Sequence, residues 1–137
     1  MQLSENFTLE ELTKSTTANK KKIDNSPNDE QIENLKNLCK NILQPIRDKY
    51  ENSITVTSGF RSPELNKAIK GSKTSQHLKG EAADIKCPNN KKLWNIITEM
   101  IKNNEIQIGQ LIDEKNLSWI HISLPTSKHK NQILKLK

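Results

Sequence analysis

Three side chains in the second half of the chain have the types and spacing to hold a metal ion. His77 and Asp84 fall within Ser75-x-His77-x-x-Gly80-x-Ala82-x-Asp84, which puts an imidazole in a loop and a carboxylate on the strand that follows. Gly80 lets the chain turn between them, and the small Ala82 leaves room beside the pair. Zinc takes neutral imidazole nitrogen and carboxylate oxygen at roughly 2.0–2.2 Å, so this pair suits it. A third donor is needed, and the chain has only 3 histidines. His121 lies in Trp119-Ile120-His121-Ile122-Ser123, where strand alternation turns it away from Ile120 and Ile122. Two imidazoles and one carboxylate leave a fourth position open, as catalytic zinc sites do. His129, in a polar basic segment, reads as a surface residue. A His and an Asp seven residues apart also suit a buried hydrogen-bonded histidine, so the wider pattern has to decide.

The elements that must position these residues follow from periodicity. Thr8, with Glu11 three residues on, opens a short helix by a capping box, and Thr16 to Asn28 reads as a polar loop. From about Asp29 to Tyr50, Ile32, Leu35, Leu38, Cys39, Ile42, Leu43 and Ile46 recur at helical steps, with Pro45 expected to kink or interrupt the last turns. Ser53 to Thr57 alternates and reads as a strand, as does Ala82 to Lys86. Lys91 to Asn103 returns to helical spacing. Ile106–Asp113 and Leu117–Ser123 suggest an antiparallel hairpin around Lys115-Asn116, and Gln132 to Leu136 an added edge strand. Helices first and a mostly antiparallel sheet after them give an α+β domain, with N-terminal helices packed on a small sheet. Residues 1–137 form a single domain, with no internal repeat. All 4 glycines, Gly59, Gly71, Gly80 and Gly109, follow the main helix, where close backbone approaches and functional loops are therefore expected.

Composition narrows the partners. The formal net charge is +6, from 22 Lys+Arg against 16 Asp+Glu. A basic surface suits a polyanion, an anionic surface or cell-wall carboxylates, or is simply well solvated. The basic residues are scattered, apart from Lys20-Lys21-Lys22 and the tail, and no basic stripe interleaved with aromatics appears. Nucleic acid is thus not an expected partner. Cys39 and Cys87 form no C-x-x-C pair, which argues against a thiolate zinc site and for buried free thiols in a reducing compartment. The N-terminus lacks the pattern of a signal peptide, and nothing resembles a membrane span.

Taken together, NFTLEELTKSTTA, NLCKNILQPIRDKY, ITVTSGFRSPELNKAIKGSKTSQHLKGEAADI, GQLIDE, SWIHIS and NQILKL resemble the M15 metallopeptidases (the D-Ala-D-Ala carboxypeptidase family) across nearly the whole chain. The likeness is to the small subgroup common in phages and bacterial genomes, and it implies a hedgehog/DD-peptidase-like fold. It implies that His77, Asp84 and His121 bind Zn2+ and that the chain is a zinc peptidase acting on peptidoglycan stem peptides, as carboxypeptidase or endopeptidase. It implies that Arg61, in Ser-Gly-Phe-Arg-Ser, lies beside the metal and binds substrate oxygen, as a guanidinium can through paired hydrogen bonds; a structural ion pair is the alternative. Ser75 and Gln76 flank the first ligand, where they could touch substrate, orient a ligand or stabilise the turn. Many M15 enzymes carry an acid three residues before the last zinc histidine, where this chain has Ser118. The small subgroup instead has an acid at the end of the preceding strand, matched by Glu114, which is preferred as general base ahead of Asp113 and Glu81. A minimal two-residue turn would pair Gln110 with His121 and leave Glu114 well along the ladder, so an irregular turn or strong twist is required. Without a signal peptide, the expected setting is a phage lysin or virion-borne wall hydrolase. Such a protein is made in the cytoplasm, acts on the wall after release or within a virion, and is a monomer or a virion part. The alternative is a non-catalytic zinc-containing wall-binding or structural module.

Overall fold

The computed structural model describes residues 1–136 as two layers, helices over one face of a sheet. The chain begins with a hairpin, β1 (Gln2–Ser4) and β2 (Phe7–Thr8), that leads into α1 (Leu9–Thr13). The expected capping box is formed: Thr8 Oγ1 accepts from the Glu11 N–H at 3.2 Å, and Glu11 accepts from the Thr8 N–H at 3.2 Å. Part of the stretch read as loop is a helix, α2 (Thr16–Lys21), which the Ser15 hydroxyl caps through the Ala18 N–H. A six-residue helix has too few periods for hydrophobic spacing to reveal it, and its one sequence signal is that cap.

The long helix is continuous but not uniform. It runs as α3 (Asp29–Leu38), a π-helical turn (Cys39–Leu43) and α4 (Gln44–Tyr50). Pro45 explains the middle piece. It has no N–H to give and its ring crowds the carbonyl four residues back, so the turn ahead of it widens and Pro45 becomes part of a new first turn. The buried stripe survives, with Leu35, Leu38, Cys39, Ile42, Leu43 and Ile46 all at 1 % exposure or less.

The sheet has five strands in the order β3 (Thr55–Ser58), β4 (Ala82–Lys86), β6 (Trp119–Ser123), β5 (Gln110–Glu114) and β7 (Gln132–Leu136). All pairs are antiparallel except β5–β7, as the α+β reading requires of a mostly antiparallel sheet. Two further helices connect the strands, α5 (Pro63–Ala68) and α6 (Asn90–Lys102). Alternation assigns the two faces. Ala83, Ile85, Leu111, Ile120 and Ile122 join the core with Leu93 and Ile97 of α6 and the α3–α4 stripe. Ala82, Asp84, Ile112, Glu114, Trp119 and His121 therefore occupy the opposite face.

Cys39 is fully buried, and burial pushes its thiol up to about 12, whereas Cys87 is only half-buried. Both are free thiols. Among the described residues, no helix is long and apolar enough to cross a membrane.

Candidate metal centre and cleft

Strand register brings the candidate ligands together. Asp84 of β4 lies opposite His121 of β6, and both point to the face away from the helices. On the other side of β4, Ser58 is opposite Asp84, past an irregularity at Thr57 that re-aims the end of β3 towards the site. The His77 side chain arrives from a 3-10 turn, Gln76–Lys79. Ser75 caps this turn, its hydroxyl accepting from the His77 N–H at 3.2 Å. Two side chains of α3 hold the other end: Gln31 Nε2 donates to the Leu78 carbonyl at 3.2 Å, and Asn34 Nδ2 to the Lys79 carbonyl at 2.9 Å. Gly80 closes the turn at φ +74°, and a Cβ there would sit 2.6 Å from the Gln31 carbonyl oxygen, so glycine is required on both counts.

The donor atoms converge on one carboxylate oxygen. His77 Nδ1 lies 2.6 Å from the Gly59 carbonyl. A carbonyl only accepts, so Nδ1 carries a proton, and in the neutral ring it is Nε2 that holds the lone pair. That Nε2 is 3.3 Å from Asp84 Oδ1, and His121 Nδ1 is 3.0 Å from the same atom. One atom from each residue lies within 4.8 Å of the other two. A lone pair aimed at a carboxylate oxygen requires a proton or a cation between them. His77 Nε2 and His121 Nδ1 both face that one oxygen, and with neutral rings they form the donor set that zinc accepts, two imidazole nitrogens and one carboxylate, so the residues fit the metal that the sequence implied. Burial pushes the Asp84 carboxyl up, but the hydrogen bonds and charge that His121 and His77 present when their rings are protonated, with no cation between them, outweigh it and hold the group well below the usual carboxylate range. The anion is the form a metal needs.

Arg61 completes the acid's surroundings. Its backbone N–H donates to the His77 carbonyl at 3.0 Å. Its guanidinium reaches Asp84 Oδ2 and Asn66 Oδ1, each at 3.4 Å, and Ser58 Oγ at 3.1 Å. The ion pair considered from sequence is therefore present, but long. It occupies the oxygen that the histidines do not use, and Arg61 also lines the cleft. Burial draws the guanidinium's pKa down and Asp84 pushes it back. Sequence reasoning missed the residues that hold Arg61. Asn25 accepts from the Ser62 N–H at 2.7 Å and donates to the Phe60 carbonyl at 3.1 Å, clamping the backbone on both sides of the arginine. A polar residue in a polar loop gives no local sign of that task.

These side chains form part of the lining of a cleft of about 900 Å³ on the open face of the sheet, within the roughly 300–1,000 Å³ of small-molecule sites. Glu114 lines it too, for a reason the minimal turn did not anticipate. The β5–β6 connection spans four residues, with Lys115, Asn116 and Leu117 all at positive φ. Ile112, not Gln110, is therefore opposite His121, and Glu114 is opposite Trp119. Glu114 and His121 become diagonal neighbours on one face, a separation of roughly 7–8 Å that a long side chain can bridge. Asp113 points the other way: it is buried, and its Oδ1 accepts from the Leu117 N–H at 2.7 Å. Glu81 lines the cleft edge. Gln76 lines it as well, while its Nε2 donates to the Leu124 carbonyl at 3.2 Å and ties the His77 turn to the end of β6. His129, read as surface, is half-buried and belongs to the cleft wall, and Trp119 shares that lining.

Among known proteins, the family model described as Peptidase M15 matches residues 5–123. No curated protein matches the chain.

Proposed function

The chain belongs to the Peptidase M15 family, and on that premise we propose that it is a zinc-dependent peptidase that hydrolyses peptide bonds in the stem peptides of bacterial peptidoglycan. The observation that carries this is the convergence of His77 Nε2 and His121 Nδ1 on Asp84 Oδ1, at the cleft and below a guanidinium. His77, Asp84 and His121 hold the ion. Zinc bound there supplies Lewis-acid polarisation of the scissile carbonyl and a nucleophile available near neutral pH. Gly59 fixes the His77 tautomer, so the nitrogen facing the cleft is the one that can ligate. Arg61 orients substrate through a carboxylate or the reacting carbonyl, and its second role is to keep Asp84 Oδ2 occupied. Glu114 accepts the proton of the attacking water and returns it to the leaving amine, the usual work of a positioned carboxylate. Ser75 and Gln76 act mainly by holding the turn that bears His77, with their exposed atoms available to substrate. The setting that suits these assignments is a wall hydrolase released from the cell that makes it, or carried in a phage virion.

The test is elemental analysis followed by digestion. Wild type should carry about one zinc per chain, lost in His77→Ala and Asp84→Ala, and should release new amino groups from purified peptidoglycan. A chain that stays zinc-free after reconstitution sinks the reading. Zinc retained with wall binding but no new amino groups would make the chain a wall-binding module instead.

A further inference from the structure

The cleft has an electrostatic division that the peptide chemistry above does not use. The sheet contributes Asp84 and Glu114 to its lining, while the loops beside the sheet contribute Lys73, Lys79 and Lys128, with His129, against one carboxylate, Glu81. These cations come from two segments bonded to each other at their base. Lys73 and Lys79 lie on the stretch that includes the His77 turn, and Lys128 lies on the connection from β6 to β7. Gln76 Nε2 donates to the Leu124 carbonyl at 3.2 Å, and the Leu124 N–H donates to the Glu81 carbonyl at 2.8 Å. The β6–β7 connection is folded on itself: Thr126 N–H donates to the His129 carbonyl at 2.9 Å, and Thr126 Oγ1 accepts from the Lys128 and His129 N–H groups at 3.2 and 3.1 Å. Lys128 thus projects from an ordered turn. The three ammonium groups are exposed, and among the described residues none is in an ion pair. Lys128 and His129 also lie beyond residues 5–123, so the family match assigns them nothing.

We propose that Lys73, Lys79 and Lys128 form a subsite for a substrate carboxylate remote from the bond that is cut, so that the chain prefers peptides bearing a free side-branch carboxylate over their carboxamide forms. This rests on the peptidase reading for the identity of the ligand as a peptide. The physical basis is ordinary: three unpaired ammonium groups against one carboxylate, Glu81, leave the loop side of the cleft net positive, and an anion there gains weak attractions where an amide gains none. Exposed pairs are each weak, so the preference is moderate and sensitive to salt.

The experiment uses two synthetic stem peptides, identical except for D-glutamate or its amide within the stem, with the zinc-loaded chain. Wild type should favour the acid by roughly five- to tenfold in kcat/KM, mainly through KM, and the ratio should shrink towards one in 0.5 M salt. The triple variant K73Q/K79Q/K128Q should bring the ratio near one. The variant K20Q/K21Q/K22Q, with the same change in net charge but outside the cleft, should keep it. Fluorescence polarisation on the metal-free protein reads the same preference without turnover. Hydrolysis of both peptides with no preference, together with equal binding, overturns the subsite and leaves the peptidase intact. Preferential binding lost in the cleft triple variant, with neither peptide cut, supports the subsite and overturns the peptidase. A preference lost equally in both triple variants overturns the subsite, because net charge alone would then explain it.

Discussion

Asp84 distributes its two oxygens between two tasks. Oδ1 faces both histidine nitrogens, and Oδ2 faces Arg61. The neighbouring carboxylates differ in the same way, by where their oxygens are already engaged. Asp113 is spent on the Leu117 N–H inside the protein, whereas Glu114 faces the cleft. Replacing them should therefore have separable effects. Glu114→Gln should keep its zinc and its melting temperature while kcat falls by roughly 10²–10⁴-fold, the usual worth of a general base. Asp113→Ala should instead lower stability by about 1 kcal/mol, because the half-buried Leu117 N–H loses its acceptor, with kcat in the surviving folded protein nearly unchanged. Steady-state turnover, metal content and denaturant midpoints on both variants decide the matter. Equal losses of kcat would remove the distinction drawn between the two acids. The ligand types were legible in the sequence because zinc chemistry restricts them to a few residues. Asn25 and Asn66 were not legible, since an amide that clamps a backbone or a guanidinium looks like any other amide in a polar segment.

At the scale of elements, the site depends on segments that approach more closely than side chains allow. Gly59 is the clearest case. A Cβ there would collide with the Leu12 carbonyl at the end of α1, while the adjoining Phe60 N–H donates to that same oxygen at 2.7 Å. The Gly59 carbonyl, in turn, receives His77 Nδ1–H. Gly59→Ala must push α1 and this strand end apart, which should cost about 1–3 kcal/mol, as overpacking does. The Gly59 carbonyl moves with the backbone, so zinc affinity should fall alongside stability. Competition with a chromophoric chelator measures the first and a urea titration the second. A variant that is destabilised but holds zinc as wild type does would show that the Gly59 carbonyl is not what sets the His77 ring. The five strands of the main sheet and the two long helices were readable because each holds its period for long enough, whereas the β1–β2 hairpin and α5 are too short to show one. The β5–β6 register was not readable, because Lys115-Asn116-Leu117-Ser118 contains no glycine, yet three of its residues adopt positive φ. The cost of that backbone is offset by Asp113 Oδ1 and by the Ser118 hydroxyl, which donates to the Lys115 carbonyl at 2.7 Å. The outcome depends on side chains folding back onto the turn, and a propensity rule sees only the turn.

For the whole molecule, one sheet separates a cleft that needs charge from a core that excludes it. The core side contains a titratable group, Cys39, on the π-helical turn at full burial. Its pKa, raised from 9.0 to about 12 chiefly by desolvation, makes the fold sensitive to alkali in a way that can be isolated. Above pH 9 the unfolded chain loses this proton and the folded chain keeps it, so the native state binds more protons and stability must fall as pH rises. Below pH 9 both states hold the proton and the contribution is flat. The loss attributable to Cys39 should reach about 1 kcal/mol between pH 8 and pH 10. Other groups titrate over that range, so the measure is a difference. Cys39→Ala should start less stable by about 1 kcal/mol, for the packing atom it lacks. Its stability should then decline less steeply, so that the two curves approach each other near pH 10. The same burial predicts that a thiol reagent modifies only Cys87 in the native protein and both cysteines after unfolding. Curves that stay parallel from pH 8 to pH 10, with Cys39 modified at the rate of an unfolded thiol, would mean that the π-helical turn opens to solvent in the native state. The core stripe would then be two separate helices in solution, and α3, which holds the His77 turn through Gln31 and Asn34, would not be braced by α4.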